Sequence, residues 1–291
     1  MTIYKYCDDR GVDILKNLLI KVTQPEEFND PFEFTPRIVG ELSEAQAEEM
    51  FVDEEFVRWQ FEVLEVRGGS FPGGYDAFRK TFVQPFLRKK LAKEFPSEHR
   101  ETMRRLAREN VNRVSQQFAV LCLSTVSDSI AMWSHYADKH CGIVIGFDSD
   151  HPHFANRNWF TVNYAKDRVG VDIAWALRRA EASDGVPRKT LKTKSEVWSY
   201  EKELRSIFKL SDLDSISSNG RKEYFWKIPK EVIREIKLGY RCPKATEDSV
   251  RTAITGSDLR HVKLQRASLD DTRFALLFGP APEVGAPSRR A

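Results

Sequence analysis

The chain has 291 residues, 31% of them charged and 11% aromatic, a globular composition able to bury a sizeable core in one large domain or two small ones. Its 46 Lys and Arg against 43 Asp and Glu leave a net charge of +3, so no overall basic field calls for nucleic acid. The four cysteines, Cys7, Cys122, Cys141 and Cys242, form no CxxC pair, no apolar run approaches about 18 residues, and no signal-peptide pattern is present. These features argue against zinc-ribbon and thioredoxin-type readings and lead us to expect a cytoplasmic protein with reduced thiols and no membrane contact.

In chain order, Ile3–Cys7 reads as a strand, and Asp8 or Asp9 is placed to cap a helix carrying Val12, Leu15, Leu18 and Leu19. Ile20–Thr23 returns as a strand, and Asn29-Asp30-Pro31 forces a turn, because the residue before proline avoids the α region. Residues 41–117 carry helical periodicity, acidic at first and basic later, and read as a helical insertion interrupted by the glycine-rich turn at 67–74. Met103, Leu106, Asn110, Val114 and Phe118 trace its buried stripe, with Arg100, Arg104 and Arg108 on the opposing face. That basic face suits either phosphates or plain solvent, and solvent is the simpler account.

From Phe118 the pattern changes to strands. Phe118–Leu123 and Gly142–Phe147 are apolar on both faces, as central strands are. Ser129–Tyr136 reads as one or two helical turns between them. Further strands are expected at Phe160–Tyr164, Leu204–Leu210, Ile233–Tyr240, His261–Ala267 and Thr272–Phe278, with helices at 171–182, 229–235 and 245–255. The expectation is a single α+β domain over 1–279, with a mixed strand-rich core and a helical insertion at 41–117, and a disordered tail at 280–291.

The most informative stretch is Trp198–Phe208. As a strand it places Glu201, Glu203 and Arg205 on one face and Tyr200, Leu204 and Phe208 on the other. Two carboxylates so close interact, and a site can use one as acid or base and the other as anchor. The plainer reading is a solvated charge ladder, or an i,i+4 pair if the segment is helical. Asp148, Asp150, His151 and His153, with His135, His140 and Cys141 nearby, offer metal-type donors, but His-Pro-His reads as a surface turn and no metal is expected. Trp133-Ser134-His135-Tyr136 suits core packing and a stacking wall for a planar ring equally.

Three segments together, Phe28–Glu33 (FNDPFE), Met132–Tyr136 (MWSHY) and Trp198–Arg205, resemble an uncharacterised bacterial domain family of the DUF2971 type, over roughly residues 3–270. More distantly, the order of parts is similar to the mono-ADP-ribosyltransferases of the Arg-Ser-Glu class. Tyr4-Lys5-Tyr6 stands at the basic first strand, with lysine in place of arginine. Leu123-Ser124-Thr125 stands at the serine-bearing strand end, with Val126 where a third serine would be, and Glu201-Lys202-Glu203 stands at the catalytic strand. That resemblance implies an ADP-ribosyltransferase-like split sheet and NAD as substrate, with a protein or nucleic-acid acceptor, in a bacterial toxin or phage-defence effector that has an antitoxin or regulatory partner. It also implies roles. Glu203 serves the ribose as the catalytic carboxylate and Glu201 orients or deprotonates the acceptor. Lys5 offsets pyrophosphate charge, and Ser124 fixes the Glu203 rotamer. Tyr4, Trp133 or Tyr136 stacks on nicotinamide, and Asn29 and Asp30 either shape the mouth or simply form the turn; in the stacking-wall reading of the residues themselves, His135 or Tyr136 supplies a hydrogen bond to the ring. The alternatives are a nucleic-acid-binding or nucleic-acid-cleaving module that uses Arg100, Arg104 and Arg108, or a non-catalytic interaction protein that docks a partner on the Glu-x-Glu face.

Overall fold

Strict alternation along the first strand sets the frame of the fold. In β1 (Thr2–Cys7), Ile3 and Cys7 enter one apolar cluster, while Tyr4 and Tyr6 enter another on the opposite face. The computed structural model describes residues 1–41, 43, 46, 49, 53–66, 68–87, 104, 105, 107–109, 111, 112, 115–177, 188–218 and 221–281. The chain forms two compact units. The first comprises Met1–Glu27, Ala119–Lys166 and Lys194–Ala291, and the second Phe28–Phe118 and Asp167–Thr193.

The first unit is built on an eight-stranded sheet in the order β15-β14-β13-β5-β1-β4-β10-β6. These strands are β4 (Phe118–Ser124), β5 (Ile143–Asp148), β6 (Trp159–Thr161), β10 (Glu203–Lys209), β13 (Ile233–Leu238), β14 (Lys263–Leu269) and β15 (Leu276–Pro280), together with β1. β1 runs antiparallel to β5 with Lys5 opposite Ile145 and Tyr4 opposite Gly146. β13 and β14 are parallel, and helix α8 (Lys244–Gly256) lies between them in the chain, as a parallel pair requires a crossover. A smaller antiparallel sheet joins β2 (Leu19–Val22) to the hairpin of β11 (Asp214–Ser218) and β12 (Arg221–Lys227). A two-stranded pairing joins β7 (Asn163–Ala165) and β9 (Thr193–Ser195).

One face of the large sheet carries the main core. Ile3, Leu121, Ile143, Ile145, Phe147, Ile236 and Leu238 pack with residues of α1 (Gly11–Asn17) and with Val250 and Ala253 of α8. The other face carries helix α4 (Ile130–Tyr136), whose Met132 and Trp133 pack on Tyr6 and Val144. Ser129 caps α4 through its hydroxyl, which accepts from the Met132 N–H at 3.4 Å. A single turn, α5 (Pro152–Ala155), stacks Phe154 on Phe147 and Trp159.

Among its described residues the second unit carries helices, the turn-rich stretch 28–36 and the parallel pair β3 (Arg37–Val39) and β8 (Gly170–Asp172). Its described helices include α2 (Glu54–Val66), α3 (Gly74–Leu87), α6 (Ile173–Leu177) and α7 (Arg188–Leu191). Glu54 ties α2 to α3, accepting from Arg79 at 2.6 Å and from the Tyr75 hydroxyl at 2.7 Å. Asp30 makes the expected turn, accepting the Phe32 N–H at 2.9 Å. Arg104 and Arg108 lie on helical backbone, half-buried and exposed in turn. Arg100, the stripe residues Met103, Leu106, Asn110 and Val114, positions 178–182 and the tail from 282 lie outside the described residues.

The mixed, strand-rich α+β class expected from the sequence is what the chain adopts. Several boundaries differ. Helix α1 stops at Asn17, because Leu18 turns left-handed (φ 56°) to start β2, so Leu18 and Leu19 are not helical. Asp8 bonds the backbone and guanidinium of Arg10 rather than capping the helix. The expected helix at 229–235 is a 3-10 turn, Lys230–Val232, followed at once by β13, because apolar Ile233, Ile236 and Leu238 suit the sheet core. β15 begins at Leu276, since Asp270 folds Thr272 and Arg273 into a turn.

Candidate functional site

The Trp198–Phe208 stretch is not one strand. Glu196–Glu201 forms a 3-10 turn, Lys202 takes a left-handed conformation (φ 45°, ψ 51°), and β10 starts at Glu203. The reversal at Lys202 breaks the regular alternation, yet Glu201 and Glu203 still converge, because one cation reaches both. Lys194 of β9 donates to Glu201 Oε2 at 2.7 Å and to Glu203 Oε2 at 3.4 Å. Arg205 holds Glu203 in a fork, with Nε to Oε1 at 2.7 Å and a terminal nitrogen to Oε2 at 3.0 Å. Tyr136 of α4 donates to Glu201 Oε1 at 2.6 Å. The Glu203 backbone N–H donates to the Tyr164 hydroxyl at 2.9 Å.

This is no solvated ladder. The side chains of Lys194, Glu201, Glu203 and Arg205 are 4%, 4%, 5% and 0% exposed. Two carboxylates and two cations balance, which is what lets the group sit inside the protein. Burial pushes the Glu203 pKa up, Lys194 and the Cys122 thiol pull against it, and Glu201 pushes with it; the result is about 7. Burial pulls Lys194 down, but the two glutamates outweigh it and its pKa rises. Burial is also the main cause that raises Tyr164, to about 12, and Cys122 well above its usual value.

The end of β4 fastens this arrangement from below. The Ser124 hydroxyl donates to the Glu201 backbone carbonyl at 2.6 Å and accepts the Val126 N–H at 3.1 Å. Thr125 donates to the Lys202 carbonyl through its N–H at 3.1 Å and its hydroxyl at 3.2 Å. Ser124 therefore braces the backbone of the Glu-x-Glu segment, and the expected bond to the Glu203 carboxylate is not made. Beside the carboxylates stands a group of rings. His135 Nδ1 is 2.9 Å from the Tyr200 hydroxyl, Trp198 and Tyr200 pack at 6.1 Å, and Lys194 lies 5.0 Å from the Trp198 ring centre.

Of the other residues singled out by the sequence, Tyr4 lies on the α4 face of the sheet, where the ammonium of Lys237 sits 5.0 Å from its ring. Lys5 does not join it. Its register partner Ile145 belongs to the main core, and paired residues share a face, so Lys5 projects to the opposite side of the sheet. Trp133 is fully buried. Its Nε1 donates to the Ser127 carbonyl at 2.9 Å and its ring packs on Tyr6 at 5.6 Å, so it is core and not a ligand wall. His135 and Tyr136 do stand at the carboxylate cluster. Sequence reasoning missed Lys194, which lies seven residues before Glu201 on a separate three-residue strand with no apolar pattern. It also missed Tyr164, whose phenol reveals its role only once β7 and β10 are placed.

Among the described residues, no group of three or more His, Cys, Asp or Glu side chains is placed to hold a metal ion. Asp148 pairs with Arg234, Asp150 with the N-terminal amine, and His153 stacks on Trp226 at 4.5 Å. No helix among the described residues is long and apolar enough to cross a membrane.

No curated protein and no solved structure matches the chain. The family model described as Protein of unknown function (DUF2971) matches residues 132–206, a stretch that holds the MWSHY segment, Lys194, and the run from Trp198 through Glu201, Glu203 and Arg205, and that leaves Phe28–Glu33 outside.

Proposed function

We propose that the first unit is a glycosyl-transfer domain acting at a ribosyl C–N bond, in its specific form an NAD-dependent ADP-ribosyltransferase with Glu203 as its catalytic carboxylate. The observation that carries this reading is the convergence of Glu201 and Glu203 on Lys194 at a buried point, where the Glu203 pKa is raised to about 7. Paired carboxylates with separated roles are what cleavage through an oxocarbenium-like transition state needs. In that step the bond from C1′ to the nicotinamide nitrogen breaks and its electron pair neutralises the pyridinium. The Glu203 carboxylate stabilises the positive charge that develops at C1′. The acceptor nucleophile forms the new bond to C1′ and passes its proton to Glu201. The rings of Trp198, Tyr200, Tyr136 and His135 supply a stacking surface suited to nicotinamide. The carboxylates are nearly closed off, so substrate entry requires these rings to move. Lys5, on the other face of the sheet, takes no part, and the proposal covers the nicotinamide-ribose end of the substrate alone.

A second reading has its own observation. Every carboxylate oxygen of Glu201 and Glu203 already has a partner, as in a purely structural strut. Chromatography of NAD incubated with the purified protein, with and without cell lysate, separates the two. The catalytic reading expects released nicotinamide and a loss of about 10²–10⁴-fold in Glu203→Gln with the folding transition retained. No release by the native protein, or equal release by the variant, leaves the strut.

A further inference from the structure

The connection from α4 to β5 is a strained piece of backbone. Asp138, Lys139 and His140 take positive φ values of 44°, 51° and 71° in succession. Non-glycine residues adopt this region singly and at a cost, and such strain persists only where the surroundings impose it. Here the surroundings do. The His140 N–H donates to the Trp133 carbonyl at 3.2 Å, the Gly142 N–H to the Ala137 carbonyl at 2.9 Å, and the Arg241 N–H to the His140 carbonyl at 3.0 Å. Gly239 allows that last approach, because a Cβ there would lie 2.1 Å from the His140 carbonyl oxygen.

The pinned loop opens on a depression of about 740 Å³, lined among others by Ser134, Lys139, His140, Tyr240, Arg241 and Phe274. That volume is in the range of small-molecule sites. Lys139 and Arg241 are exposed, and neither head group has an ion pair or a side-chain hydrogen bond among the described residues. Arg273, on the same rim, is already held by Asp270 at 3.3 Å. The His140 ring is fixed, stacked on Trp133 at 6.2 Å with Nε2 3.1 Å from the Ser134 hydroxyl. Burial, then the charge of Arg241, lowers its pKa and so favours the neutral ring. Tyr240 is 44% exposed and Phe274 fully so, two bare rings beside two unpaired cations.

We propose that this depression is a nucleotide site, with the phosphates of a phosphorylated nucleoside between Lys139 and Arg241 and its base against Tyr240 and Phe274. Lys139 and Arg241 offset phosphate charge, with Asp271 also on the rim and Asp270 already held by Arg273, the rings suit a planar base, and the volume holds both. The site is separate from the carboxylate cluster. Ser134 of α4 lines the depression, while His135 and Tyr136 of the same helix reach Tyr200 and Glu201.

Equilibrium dialysis of the full chain against ADP, with inorganic phosphate as competitor, tests this. Saturable binding is expected, displaced by phosphate, weakened about tenfold or more in the Lys139→Gln/Arg241→Gln double variant and unchanged in Glu203→Gln. Tyr240→Ala/Phe274→Ala is expected to weaken ADP and to leave phosphate binding as it was. All four substitutions are at exposed positions, so the unfolding transition should be unaltered. No saturable ADP binding at millimolar concentration, ADP binding indifferent to the Lys139/Arg241 double variant, or binding lost on Glu203→Gln would overturn the proposal.

Discussion

At the scale of single residues, Arg205 decides how the site is held. It is wholly buried, it follows Glu203 by two positions, and its fork occupies both oxygens of that carboxylate. Removing one partner of a buried pair strands the other charge, at a cost of about 3–5 kcal/mol, whereas removing both and packing the space with apolar groups is far milder. Arg205→Met is therefore expected to lower stability by about that amount in urea denaturation, and Glu203→Leu/Arg205→Met to recover most of it. A double variant no better than the single one would mean that the network contributes through geometry other than this charge pair. The pairing of Glu203 with Arg205 was legible in the sequence from their two-residue spacing on β10, whereas Glu201 joins them from the 3-10 turn through Lys194, which strand alternation does not foresee. Their burial was not legible, because charged residues at that spacing read as solvated until the counter-ion Lys194, on a different strand, is known.

At the scale of elements, the left-handed Lys202 joins the 3-10 turn to β10 and sets the directions of both carboxylates. The strand end Ser124-Thr125 holds that link with three hydrogen bonds, all to the carbonyls of Glu201 and Lys202. The sequence resemblance assigned Ser124 to the Glu203 carboxylate, and the structure puts its hydroxyl on the Glu201 carbonyl instead, since a backbone reversal at lysine has no signature in the residue string. Left-handed backbone costs a β-branched side chain most and glycine least. Lys202→Val is expected to destabilise by roughly 1–2 kcal/mol and Lys202→Gly to be near neutral. Equal losses in thermal unfolding for both would show that the lysine side chain, and not the backbone angle, matters there.

At the scale of the whole molecule, the strand pattern of the first unit was readable because its central strands are continuous apolar runs. β4 and β5 were found within a residue or two, as was α8 from its helical period. The hairpin of β11 and β12 was not read, since Asp214–Ser218 is almost wholly polar and gives no buried face. Which side of the sheet each first-strand residue takes depends on register alone, and this is why Lys5, one position from Tyr4, left the site. The account rests in the end on Glu203 acting as a carboxylate whose proton is lost near neutrality. Its pKa lies at about 7 against an ordinary 4.5, so between those values the folded protein keeps a proton that the unfolded chain releases. The stability owed to this group is thus full below the lower value and is lost as pH rises to the upper one, while any activity that needs the ionised form rises with pH around the upper value. The rate of nicotinamide release from NAD, followed against pH for the native protein and for Glu203→Gln, tests this most directly. The expected rate climbs through neutrality, half-maximal near the Glu203 pKa of about 7 and level about one unit above it, and is about 10²-fold or more lower in the variant; a profile with no rise through neutrality, or a variant as fast as the native protein, would contradict it.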